Sequence, residues 1–118
     1  MRAWEDALGY AASLPDVVIT SFYGRPAAKL AATGRAFLSQ GREADSFCLH
    51  LDRVTIEVLK ETDPATFHQT PHYEGWETVL VRYGSADPER VIAMIARAHG
   101  DAAARPKLRA KRPPRTPV

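Results

Sequence analysis

The chain has 118 residues, 45% of them hydrophobic and 25% charged, which is enough for one ordinary globular core. No apolar run approaches the roughly 20 residues that span a bilayer, and the opening MRAWEDALGY reaches acids by residue 5 with no apolar stretch, so neither a membrane span nor a secretory signal is expected. A single cysteine excludes an internal disulfide, and a reducing cytoplasm is the expected compartment.

The net charge of +2 hides an uneven distribution. Residues 105–118, RPKLRAKRPPRTPV, carry six Lys or Arg and no acid. Removing them from 16 basic and 14 acidic residues leaves 10 against 14, so residues 1–104 are net −4. With four prolines and one leucine, the tail cannot bury a core face and is expected to be disordered. It reads as a solubilising extension or as the first contact for an anionic partner. Arg outnumbers Lys by 12 to 4 and Ala is abundant, which points to a GC-rich bacterial source.

Trp4, Ala7, Leu8 and Ala11 fall at i, i+3, i+4 and i+7, one helical stripe that Pro15 stops. VVITSFY is β-branched and aromatic, a strand. GRP then turns the chain. AAKLAA and RAFLS flank Thr33-Gly34, a tight hairpin in which Gly34 takes positive φ. SFCLHL alternates, with Phe47, Leu49 and Leu51 on one face and Cys48 and His50 on the other. DRVTIEVLKE alternates like a strand through Val54, Ile56 and Val58. It also has Asp52 as an N-cap and Val54/Val58 at i, i+4, and we take it as a helix.

ATFHQT is a short extended piece, HYEG is a turn, and WETVLVRY is the strongest strand. In the last helix Asp87 is the N-cap, Pro88 sits at N1 and Glu89 faces the positive end of the dipole. Val91, Met94, Ile95 and Ala98 form its stripe, and Gly100 is expected to end it. The expectation is one α+β domain over residues 1–104, an antiparallel sheet with helices packed on one face, in the order α-β-β-β-α-β-β-α.

Four stretches carry a resemblance: WEDALGYAASLPDV, SFYGRPAAKLAATGRAFLS, HQTPHYEGWETVLVR and VIAMIARAHGDAAARPK. In their order and spacing they resemble the MmcQ/YjbR-like proteins, also called DUF419, over about residues 3–105. The resemblance implies a compact fold similar to the secretion-chaperone-like architecture. It also implies a double-wing DNA-binding motif, a label that rests on fold analogy. Arg35 stands where many members carry Lys, and His68 and Trp76 match a recurring His and Trp. The HYEG segment departs from more basic relatives, and Glu74 and Glu77 weaken a phosphate-binding role there.

Nucleic-acid binding requires cations for phosphates and rings for unpaired bases. Arg25, Lys29, Arg35 and Arg82, with Lys107, Arg109, Lys111 and Arg112 of the tail, supply the cations; Arg25, Lys29 and Arg35 flank a hairpin that could enter a groove as a wing. Tyr23, Tyr73 and Trp76 supply rings, although Trp76 reads as a core or interface residue before a stacking platform. His68, His72, Tyr73 and Trp76 are the candidate ligand surface. Arg82 could equally pair with the neighbourhood of Glu77 or with Asp45.

Cys48, His50, His68 and His72 have no zinc-type spacing, so no metal and no cofactor is expected. Cys48 lies mid-strand, away from a helix N-terminus, and reads as packing rather than as a nucleophile. No phosphate-loop pattern is present. The expected function is non-enzymatic binding with DNA as the partner, weak, largely sequence-independent and aided by the tail. The alternatives are a protein or peptide partner on the sheet face, a second copy of the chain, or a small-molecule or metal-binding domain.

Overall fold

The computed structural model describes residues 1–22 and 24–106. The elements are α1 (Trp4–Ala12), β1 (Val17–Phe22), β2 (Arg25–Leu30), β3 (Ala36–Gln40), β4 (Ser46–His50), α2 (Arg53–Thr62), β5 (Phe67–His68), β6 (Thr78–Arg82) and α3 (Pro88–Ala104). The strands form one antiparallel sheet in the order β1-β2-β3-β4-β6-β5. The α+β class expected from sequence is therefore present. The expected order is one strand short: four strands, β1 and both arms of the Thr33-Gly34 hairpin and β4, precede α2, not three.

Directly paired residues of antiparallel strands point to the same side. One column across the sheet is Ala28, Leu38, Leu49 and Val79, and a second is Phe47, Val81 and Phe67. These share a core with Ala7 and Ala11 of α1, Ile56 and Leu59 of α2, and Val91, Ile95 and Ala98 of α3. The helices thus pack on one face, as the stripes require. The register of β2 and β3 shifts between Ala28 and Lys29, which leaves Phe37 as an extra residue beside Leu38. Phe37 meets His99 of α3 edge-on, with ring centroids 5.4 Å apart. The bulge ties α3 to the start of β3.

Asp52 caps α2, its carboxylate accepting from the Thr55 N–H at 2.9 Å, so DRVTIEVLKE is helical as expected, but its inward stripe is Ile56 and Leu59 and the expected pair Val54/Val58 faces solvent, 75% and 49% exposed. Asp87 caps α3 with Pro88 behind it. Gly100 does not end α3, which runs on to Ala104. Ala102 continues the stripe of Ile95 and Ala98 into the core, and that burial outweighs the cost of a mid-helix glycine, about 1 kcal/mol. The helix stops before Pro106, which disfavours helical geometry at Arg105. The extension carries Asp101 and Arg105 to the end of the sheet where β3 begins, β4 ends and β6 begins. Among the described residues no helix is long and apolar enough to cross a membrane.

Candidate functional site

The other sheet face carries the column Ala27, Ser39, Cys48, Leu80 and His68. All but His68 are buried. The cover near Cys48 comes from connecting segments rather than from the helices of the core. Gly41 passes so close that a Cβ there would lie 2.8 Å from Cys48 Sγ, so only glycine fits without a shift. The segment between β5 and β6 supplies Tyr73, whose side chain hydrogen-bonds Cys48.

Gln69 organises that segment. Its amide Nε2 donates toward the carbonyls of Tyr73 at 2.9 Å, Trp76 at 3.2 Å and Thr78 at 2.7 Å. Its Oε1 accepts from Lys60 Nζ at 2.9 Å. Backbone turns close on Thr70 and Tyr73, and Gly75 takes φ +81°, a conformation that suits glycine. The loop therefore holds its rings on a fixed frame.

Between this loop, the start of β2 and the end of α3 lies an open cleft of about 910 Å³. Its floor is Ser39, Cys48, His50 and Thr78. Its rim carries four arginines, Arg25, Arg35, Arg42 and Arg105, and the rings of His72, Tyr73 and Trp76. The acids on it are Glu77 and Asp101. Glu77 pairs with Arg105 at 3.4 Å and Asp101 with Arg97 at 3.9 Å. Arg25 and Arg42 make no ion pair among the described residues. Arg35 Nε donates to the Pro106 carbonyl at 2.8 Å, which holds the last described residue at the rim.

The floor is electrically quiet. Burial pushes the Cys48 thiol up, so it stays protonated at neutral pH and is a poor nucleophile. Burial, with Arg105 nearby, lowers His50 to about 4, so the imidazole is neutral. Its Nδ1 lies 3.3 Å from Thr78 Oγ1. Burial also raises Tyr73, against a smaller opposing pull from Arg42 and Arg25. Hydroxyls, a thiol and a neutral ring thus lie beneath a cationic rim. Among the described residues no group of three or more His, Cys, Asp and Glu could hold a metal ion.

The structure brings Arg25, Arg35, His72, Tyr73 and Trp76 together on this cleft. It does not bring Lys29, His68 or Arg82 to it. Arg82 is occupied elsewhere, donating to the carbonyls of Pro64 and Ala65 at 3.2 Å and lying 3.7 Å from Asp45, one of the two partners expected for it. His68 stands beside Arg82 on β5, its pKa lowered by burial and then by that guanidinium. Lys107, Arg109, Lys111, Arg112 and Tyr23 lie outside the described residues.

One expectation needs correction in part. Trp76, expected as a core or interface residue, is not core: it is 64% exposed, because β6 begins at Thr78 and leaves Trp76 in the preceding turn. The turn of the β2–β3 hairpin is held at Asp16, Ala31 N donating to the Asp16 carbonyl at 2.8 Å and Ala32 N to the Asp16 carboxylate at 2.9 Å. Arg42 and Arg105 were not among the expected site residues. The periodic signal for Arg105 was the stripe running past Gly100 to Ala102; Arg42 has no local signal beyond a polar loop.

No family model matches the chain, and neither a curated protein nor a solved structure matches it.

Proposed function

We propose that this chain is a non-enzymatic binding protein of the MmcQ/YjbR-like type that takes nucleic acid, DNA in the first place, in the arginine-rimmed cleft. The observation that carries this reading is a local reversal of charge. Residues 1–104 are net −4, yet they bring Arg25, Arg35 and Arg42 and three aromatic or imidazole rings to the cleft, while its two acids are paired, Glu77 with Arg105 and Asp101 with Arg97. Guanidinium groups match phosphate oxygens, and rings match base faces. Pro106, next in sequence to the cations of 107–118, lies at the same rim.

The test is a fluorescence titration of the full chain with DNA at several salt concentrations. Binding should weaken with salt, with a log-log slope of about −0.9 per phosphate neutralised on duplex and about −0.7 on single strands. Arg25→Ala/Arg42→Ala should flatten that slope. If the double variant binds with an unchanged slope, the cleft is not the site.

One feature favours a protein partner or a second copy as the competing reading. Edge strand β1 carries no charged residue and exposes Val18 and Ile19 at 40% and 49%. A concentration-dependent dimer that Ile19→Lys abolishes would favour it.

A further inference from the structure

The shape of the cleft separates two kinds of nucleic acid. Its neutral groups, Ser39, Cys48, His50 and Thr78, lie at the bottom, and its cations lie at the top. A duplex hides its base faces in its own stack, so it could meet the rim arginines with phosphates and leave the floor empty. An unpaired nucleotide could use both levels. The volume of about 910 Å³ lies within the range of pockets that enclose small ring-bearing ligands.

The rim offers a place for a base to stack. Trp76 is 64% exposed, a large apolar surface left in water. The His72 ring stands nearly parallel to it, with planes 18° apart and centroids at 6.4 Å, and Tyr73 meets His72 edge-on at 5.0 Å. Gln69 fixes the carbonyls of Tyr73 and Trp76, so the platform is held before a ligand arrives.

Resting on the nucleic-acid reading above, we propose that the cleft takes an unpaired nucleobase stacked on the Trp76–His72 pair, with flanking phosphates on Arg25, Arg35 and Arg42, so that single-stranded nucleic acid is preferred to duplex. The adaptable hydroxyls of Ser39 and Thr78 suit a site that accepts different bases rather than one that reads a sequence.

The experiment is a fluorescence-anisotropy titration of the full chain with a short labelled DNA strand and with the blunt duplex of the same sequence, at low salt. The single strand should bind about tenfold tighter or better, the order expected for one stacked base. Trp76→Ala should remove about that factor for the single strand and leave the duplex unchanged. Trp76→Phe, which keeps a ring, should recover most of it. Because Trp76 is exposed, both variants should retain the wild-type circular dichroism spectrum. Equal or tighter binding of the duplex would overturn the preference while leaving the nucleic-acid reading standing. So would a Trp76→Ala variant that weakens both ligands equally. If neither ligand binds at low salt, the nucleic-acid reading itself fails, and this inference fails with it.

Discussion

On the helix-covered face, Ala28, Leu38, Leu49 and Val79 form one apolar column and share a core with α1 and α3. On the opposite face, Ala27, Ser39, Cys48, Leu80 and His68 form the next column, and a loop and a glycine approach it. The two columns are neighbours on the same strands. The first is closed by side chains that do nothing but pack. The second is closed by backbone turns, side-chain amides and hydroxyls, and the closure is incomplete at one end. A cleft with rim cations is what remains there. On the proposed reading, binding belongs to this incompletely closed end, which the end of α3 also lines, and stability to the helix-covered column, so substitutions in the two places should behave differently.

The largest effect should come from the helix-covered face. Phe47 is fully buried and packs against Tyr83 at 5.7 Å between ring centroids. Phe47→Ala should cost about 3–5 kcal/mol of stability, a cavity the neighbours cannot fill. Chemical denaturation checks this. Below its melting range the variant should bind as the wild type does. A folded Phe47→Ala protein that has lost binding would show that the two faces are not independent.

The second effect lies on the cleft side and appears only in acid. The folded state holds His50 at about 4 against an ordinary 6.5. Above pH 6.5 both folded and unfolded chains carry a neutral ring, and stability is unaffected. Between 6.5 and about 4 the unfolded chain takes up the proton and the folded chain does not, so stability falls as pH falls. The full conversion is about 3 kcal/mol, an upper value because the residue keeps some exposure. Urea unfolding across this window should be less steep in His50→Gln than in the wild type. Identical slopes would place the imidazole in water rather than at the cleft floor.

A third effect belongs to the loop. Gln69→Leu removes the donor that serves the carbonyls of Tyr73, Trp76 and Thr78 and the acceptor for Lys60. The expected cost is about 2 kcal/mol, with binding weakened as well because the rings lose their frame. Loss of stability with unchanged affinity would mean that the loop closes the face without shaping the cleft.

The sequence made one of these faces more legible than the other. The stripe of Ala7 and Ala11, the Asp52 and Asp87 caps, and the alternation of Phe47 and Leu49 are local patterns, and they place the helices and the core. The cleft depends on long-range events. Gly41 lies over Cys48 from a neighbouring connection, Gln69 gathers carbonyls up to nine residues away, and Arg105 reaches Glu77 across 28 positions. No periodicity announces such contacts. Trp76 illustrates the difference. As an aromatic residue next to a strand it reads as core or interface, but its position two residues before Thr78 leaves it in a turn and in water. His72 and Tyr73 are legible as part of a dense run of rings, and Trp76 also through the resemblance, without the geometry that gives them a common wall.

The smallest effect on stability should fall on Arg42, and its contrast with Arg82 is the finest test of the assignment. Both are arginines near the end of a strand. Arg82 is committed to the carbonyls of Pro64 and Ala65 and to Asp45, so Arg82→Ala should cost about 1 kcal/mol of folding stability. Arg42 is exposed, lines the cleft and makes no ion pair among the described residues, so Arg42→Ala should change stability by less than about 0.5 kcal/mol. In a salt series the ranking should invert. Arg42→Ala should reduce the log-log slope by about 0.7 on a single strand, one phosphate contact, while Arg82→Ala leaves it unchanged. Measuring both quantities on both variants separates a charge used for folding from one held ready for a ligand. If Arg82→Ala changes the slope and Arg42→Ala does not, the anion runs along the β5–β6 edge, and the cleft must be given up as the binding surface.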